Sequence, residues 1–287
     1  MIINKFEIIW INKCKYTNYT SISLWKNFIL ANRINSNTIE VFDTKNGHYL
    51  FDILDEDFGI FEIKNADDVY IINDILFRID NFLGVCQVYN LNSNNIIGVF
   101  VFKDLKLLKS ICEYFNNKYV LFVLDVNNNI LKYEIEINEN KIKNIKKRHL
   151  LNLPKINFFS ILVDLKYNRI LLNDKKNSKL NILDLKGNIK NIINVEISNL
   201  IIYKNYYIYT DLENDTNMIH LISRENLKYK MSYMSEKIKN ITNIECINDD
   251  IYILDNHCTL SKIYLKNNSN NFLLITLGII ISSIFLK

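Results

Sequence analysis

The side chains able to do chemistry are scattered, and their spacing matches few known reaction sites. Four histidines, His48, His149, His220 and His257, and five cysteines, Cys14, Cys86, Cys112, Cys246 and Cys258, stand far apart without a CxxC pair. His257 and Cys258 adjoin, but neighbours on a hairpin point in opposite directions and no second ligand pair follows, so no metal site is expected. No GxSxG, HExxH, P-loop or GxGxxG spacing occurs, so neither a catalytic residue nor a cofactor is nominated. What does recur is a carboxylate: Asp80, Asp125, Asp174, Asp211 and Asp255 each close an apolar run. Five such groups could converge on a channel as a ring for metal or catalysis. A hairpin turn selects the same residue, because a short acidic side chain bonds its own backbone, and turn chemistry is the expected role.

Two further stretches carry chemistry of a different kind. Lys141, Lys143, Lys146, Lys147 and Arg148 crowd into one segment ahead of Pro154. Such a cluster could neutralise several phosphates, since affinity for nucleic acid rises with each cation placed near its backbone. No aromatic interleaves it, which removes the stacking expected of a single-strand binder, and the plainer reading is a solvated loop between repeats. The second stretch is Phe272–Leu286, fifteen uncharged residues including Phe272, Leu273, Leu274, Ile279, Ile280, Ile281, Ile284 and Phe285, closed by Lys287. As a helix it spans about 22 Å, short of the roughly 30 Å hydrocarbon core. A membrane anchor is the first expectation, and a closing strand or core helix the alternative.

The body must supply the elements that hold these groups. With 287 residues, 49% of them hydrophobic, the chain can build a substantial core. One proline and six glycines argue against linkers. A formal net charge of +4 is too mild for a dedicated nucleic-acid binder. The odd, scattered cysteines suit a reducing compartment, with the thiols acting as small core hydrophobes. The N-terminus lacks a small-residue cleavage site and reads as a first strand, not a secretory signal.

Apolar runs of four to six residues, rich in Ile, Val, Tyr and Phe, alternate with short polar turns, the signature of strands. Six hairpins share one form, from Phe28–Asn32 with Thr38–Asp43 to Ile251–Asp255 with Leu260–Leu265. The residues closing their first strands stand at 32, 80, 125, 174, 211 and 255, a spacing near the roughly 40–45 residues of a four-stranded propeller blade. A sandwich or barrel shows no such longer period. The expectation is therefore an all-β chain, a six- or seven-bladed β-propeller over 1–266 with a C-terminal hydrophobic tail at 267–287. Lys5–Ile11 would complete the last blade, and the second strand of each hairpin, with alternating residues such as Lys132 and Glu134, would form a half-exposed outer strand.

In period and hairpin grammar the chain resembles the WD-repeat propellers, although the WD dipeptide is absent and the GH pair occurs once, at Gly47-His48. Locally, Phe159–Asp164 followed by Arg169–Lys176 resembles the non-catalytic propeller subunit of the tRNA guanine-N7 methyltransferase. That resemblance implies that Asp174, Lys175 and Lys176 dock a catalytic partner and that the basic segment approaches tRNA. A propeller followed by one hydrophobic segment also resembles the ER-anchored exchange factor for a small GTPase, whose glycine-rich loop corresponds here to Asn32–Asn37, which has no glycine.

The function expected is a non-enzymatic scaffold for protein partners, tail-anchored on the cytosolic face of an internal, ER-like membrane, with Lys262 and Lys266 flanking the run. A soluble nuclear or cytoplasmic RNA-modification subunit is the alternative, and the exchange factor a further one.

Overall fold

In the computed structural model, residues 5–266 are described apart from 15–18, 34–35, 37, 54–62, 64–65, 104, 139–140, 154–157, 214–215, 235–236, 239 and 248–249. The chain opens with β1 (Lys5–Lys13) and then lays down five antiparallel four-stranded sheets in order. Blade 1 is β2 (Tyr19–Trp25), β3 (Phe28–Arg33), β4 (Ile39–Asp43) and β5 (Tyr49–Ile53). Blade 2 is β6 (Asp68–Ile72), β7 (Ile75–Asp80), β8 (Val85–Asn90) and β9 (Asn95–Val101). Blade 3 is β10 (Leu107–Phe115), β11 (Lys118–Asp125), β12 (Asn129–Asn138) and β13 (Lys141–Asn152). Blade 4 is β14 (Phe158–Asp164), β15 (Arg169–Asp174), β16 (Lys179–Asp184) and β17 (Ile189–Asn194). Blade 5 is β18 (Asn199–Tyr203), β19 (Tyr206–Glu213), β20 (Thr216–Ser223) and β21 (Tyr229–Met234).

Blade 6 has β22 (Ile241–Ile247), β23 (Asp250–Asp255) and β24 (Thr259–Lys266) from the end of the chain, and takes its outermost strand from the beginning. β1 pairs with β24 from Lys5↔Lys266 to Lys13↔Thr259. The first strands of successive blades touch in a closed circuit, β22 meeting β2. The fold is thus a six-bladed β-propeller.

Why these runs become blades is visible in the core. Among the described residues six apolar clusters are present, one between each pair of neighbouring blades. On β11, Leu121 and Val123 pack toward blade 2 while Val120, Phe122 and Leu124 pack toward blade 4. A strand buried on both faces needs a continuous apolar run, which is why these strands do not alternate. No blade can bury both faces alone, so the ring is stable only when closed.

The expected hairpins are the second and third strands of each blade, and a fourth strand lies outside them. β12 is therefore an interior strand: its half-buried Lys132 and Glu134 pair with each other at 2.8 Å, and β13 covers it. That differs from the half-exposed outer strand expected, because the charged segment Lys141–Asn152, which has the composition of a loop, is itself the outer strand.

Each blade is an antiparallel meander, so turns joining first to second and third to fourth strands lie at one end, and the remaining turns and inter-blade connections at the other. β24 is a third strand and ends at Lys266 on the first of these ends, here named the exit face. The hydrophobic run Phe272–Leu286 lies outside the described residues. Among the described residues, no helix is long and apolar enough to cross a membrane.

Candidate functional site

The first strands of the blades edge a central channel, and charged side chains gather there. Asp68, buried at the start of β6, accepts hydrogen bonds at Oδ2 from the Ser110 backbone N–H at 2.9 Å, the Ser110 hydroxyl at 2.8 Å and the Asn81 amide at 3.1 Å. The Lys109 ammonium of β10 closes on its other oxygen as an ion pair. The hydroxyl of Tyr70 donates to the carbonyl of Ser110. A third member comes from the far side: Glu245 of β22 belongs to blade 6, which does not adjoin blade 3, so its attraction to Lys109 crosses the channel.

Burial pushes the Glu245 carboxyl up to about 7, with Lys109 and the Cys246 backbone N–H opposing. Burial alone would depress Lys109, but Asp68, Asp67 and Glu245 together raise it. Burial also raises Tyr70, and Asp68 and Glu245 add to that. One ammonium thus serves several carboxylates. Asp68 is held in place by four donors, while burial leaves Glu245 poised to exchange a proton near neutrality.

Toward the exit face a second polar cluster joins blades 4 and 5. Asp164, at the end of β14, receives both arms of the Arg224 guanidinium, Nε at 2.9 Å and Nη2 at 2.6 Å, and the Tyr207 hydroxyl at 2.7 Å. Burial would raise this carboxyl, but these donors hold it below the ordinary range. Glu113 of β10 is pushed up to about 7 by burial, with Asp164 adding and Arg224 opposing.

The residues nominated from sequence fall elsewhere. Asp174 ends β15 and accepts from the Asn177 backbone at 3.2 Å and its side-chain amide at 2.7 Å. Lys175 and Lys176 form a short 3-10 turn with Asn177, both exposed, with the Lys175 ammonium 5.2 Å from the Phe159 ring centre. Four of the recurrent carboxylates, Asp80, Asp125, Asp174 and Asp255, cap turns. Asp125 caps its turn through the Asn127 and Asn129 backbone N–H groups at 2.9 and 2.8 Å, and Asp255 does so through His257 and Thr259 at 3.0 and 2.8 Å. Asp211 lies 2.9 Å from His220 Nε2, across the second hairpin of blade 5.

Lys141, Lys143, Lys146, Lys147 and Arg148 lie on β13, the outermost strand of blade 3, and are not in a loop. All five are exposed, while Ile142 and Ile145 between them pack against the core shared by blades 2 and 3. That apolar pair holds the segment to β12 despite its charge. Lys146 stands opposite Glu134, and Lys147 lies 5.9 Å from the Tyr133 ring centre. Of the turn compared with a glycine-rich loop, only Asn32, Arg33 and Ser36 are described, and the tail residues Phe272–Phe285 lie outside the described residues.

Sequence reasoning passed over Asp68, Lys109, Glu113, Arg224 and Glu245. Their signal was a lone charge set in or beside an apolar run, as in Leu107-Leu108-Lys109-Ser110-Ile111, which a solvated strand face produces equally well. Among the described residues no group of His, Cys, Asp and Glu is arranged to hold a metal ion. Nor does any known protein family, or any curated protein, match the chain.

Proposed function

We propose that this propeller is an interaction scaffold, held on the cytosolic face of an internal membrane by the run Phe272–Leu286, with a protein partner bound to the face opposite the exit face. The observation that carries the reading is on that opposite face. Phe82 and Leu83 in blade 2, Leu108 and Val126 in blade 3 and Phe159 in blade 4 are all exposed there. Backbone hydrogen bonds knit their segments together, Leu107 N–H to Asn81 O at 3.3 Å and Val126 N–H to Lys106 O at 3.0 Å. Lys175 stands over the Phe159 ring, and Lys176, next in the chain, is also exposed. Exposed apolar side chains in adjacent blades with lysines at the margin are the composition of a protein-binding surface.

The way the ring closes supports the anchor reading. β1 supplies the outermost strand of blade 6, and its pairing is complete at Lys266, before the apolar run begins. A run of fifteen residues without a charge is suited to a bilayer. An N-terminal fluorescent fusion tests the reading: it should sit on internal membranes and become soluble when residues 267–287 are removed. A soluble full-length fusion whose truncation aggregates would overturn the anchor.

A second reading rests on β13. Five exposed cations on one outermost strand, with Lys175 and Lys176 in the next blade, would suit a non-catalytic subunit that presents tRNA to a partner methyltransferase. Reversing Lys146, Lys147 and Arg148 to Glu should then abolish tRNA retention, and unchanged retention would remove this reading.

A further inference from the structure

On the exit face the two signs of charge are treated differently. The carboxylates there are engaged as turn caps or ion-pair partners, Asp43, Asp74 and Asp184 half-buried and Asp164 buried. Asp43 accepts the Lys45 backbone N–H at 2.5 Å, and Asp184 accepts the Lys186 and Asn188 backbone N–H groups, each at 2.9 Å. Asp74 accepts the Trp25 indole N–H at 2.6 Å, and Asp164 is enclosed by Arg224 and Tyr207. The lysines of the same turns are exposed: Lys26, Lys45, Lys166, Lys186, Lys204 and Lys228, of which Lys26 also pairs with Asp74 at 3.4 Å. Among the described residues of these turns Glu225 is the exposed acid.

Position adds to charge. The six lysines come from blades 1, 4 and 5, and blades 1 and 5 flank blade 6, from which β24 leaves toward the apolar run. Across the ring, at the end of β10, Tyr114 and Phe115 are exposed toward the same face. Exposed cations with exposed aromatics form the surface that settles on a bilayer carrying negative head groups, the cations meeting phosphates and the aromatic rings the interface.

We propose that the exit face is a membrane-docking surface that recognises anionic phospholipid, so that the disc lies flat with its partner-binding face toward the cytosol. This rests on the anchor reading for its geometry, but its chemistry is independent of the tail. A single short apolar run leaves the disc free to swing; the lysines fix which face turns to the lipid, each adding a modest electrostatic increment that salt weakens.

The test uses the full chain with vesicles of phosphatidylcholine alone and vesicles also containing phosphatidylserine. Flotation reads attachment, and acetylation of each lysine followed by mass spectrometry reads the face. The expected result is flotation on both, with Lys166, Lys204 and Lys228 acetylated about fivefold more slowly on the phosphatidylserine vesicles and Lys175 and Lys176 unchanged. Flotation on both with no difference between the two groups of lysines would overturn the docking face and leave the anchor standing. Flotation on phosphatidylserine vesicles alone, with the same protection, would support the face and overturn the anchor. Flotation on neither overturns both.

Discussion

Arg224 and Asp164 close the boundary between blades 5 and 4 with a two-armed ion pair, Nε to Oδ2 at 2.9 Å and Nη2 to Oδ1 at 2.6 Å, and neither side chain is open to solvent. The guanidinium also lies 5.1 Å from the Tyr167 ring centre and donates to the Lys204 carbonyl at 2.6 Å. Removing one partner strands a buried charge, so Arg224→Ala should cost about 3–5 kcal/mol in denaturant unfolding. Arg224→Lys keeps the charge but loses the fork and should fall between. Because the folded carboxyl is held below its ordinary value, the stability it contributes is present above the usual carboxylate pKa and lost as pH falls through the lowered one. The gap between wild type and Asp164→Asn should therefore narrow in acid. A gap that widens would show that the pair is not the source.

Glu245 obeys the opposite sign. Burial raises its carboxyl to about 7, so between its ordinary value of 4.5 and that point the folded state holds a proton that the unfolded chain has released. Stability due to this group declines as pH rises through that window. Glu245→Gln should therefore leave the melting temperature unchanged near pH 4.5 and raise stability by about 3 kcal/mol at pH 8, the raised carboxyl already including the attraction to Lys109. A variant less stable than wild type at pH 8 would mean that the carboxylate is needed by Lys109 more than its burial costs.

Gly47 sits where the third-to-fourth-strand turn of blade 1 meets β1 of blade 6. Its φ is +70°, and a Cβ there would fall 2.8 Å from Cε3 of Trp10. Trp10 is itself held by its indole N–H to the Thr44 carbonyl at 3.3 Å. Gly47→Ala combines left-handed backbone strain with a ring clash and should cost about 1–3 kcal/mol in thermal unfolding. A neutral variant would show that the turn can move away from β1.

Much of this architecture was legible because hairpins write themselves locally. The turns after Asp125 and Asp255 carry their caps within four residues, so the second and third strands of every blade could be read directly. The first and fourth strands were harder to place, since their pairing is a matter of packing against neighbouring blades. β13 shows why: Lys141–Arg148 has the composition of a loop, and only Ile142 and Ile145, meeting a core contributed mostly by blade 2 and by other strands of blade 3, make it a strand. The channel cluster was hidden for the same reason. Lys109, Asp68 and Glu245 lie in three different blades, and no local pattern signals that ring closure brings them together.

Ring closure makes the N-terminal strand β1 part of the disc. Without residues 1–13, β24 would lose its pairing from Thr259 to Lys266 and blade 6 its cover, exposing Ile263 and Leu260 of the cores shared with blades 5 and 1. A propeller is cooperative only when every blade has two neighbours, so this deletion should lower the melting temperature by at least about 10 °C or abolish a single transition. Deletion of residues 267–287 removes nothing from the β1–β24 pairing. It should shift the transition, measured in mild detergent, by no more than about 2 °C. If the second deletion proves as damaging as the first, the apolar run belongs to the core of the disc, and the membrane assignment falls with it.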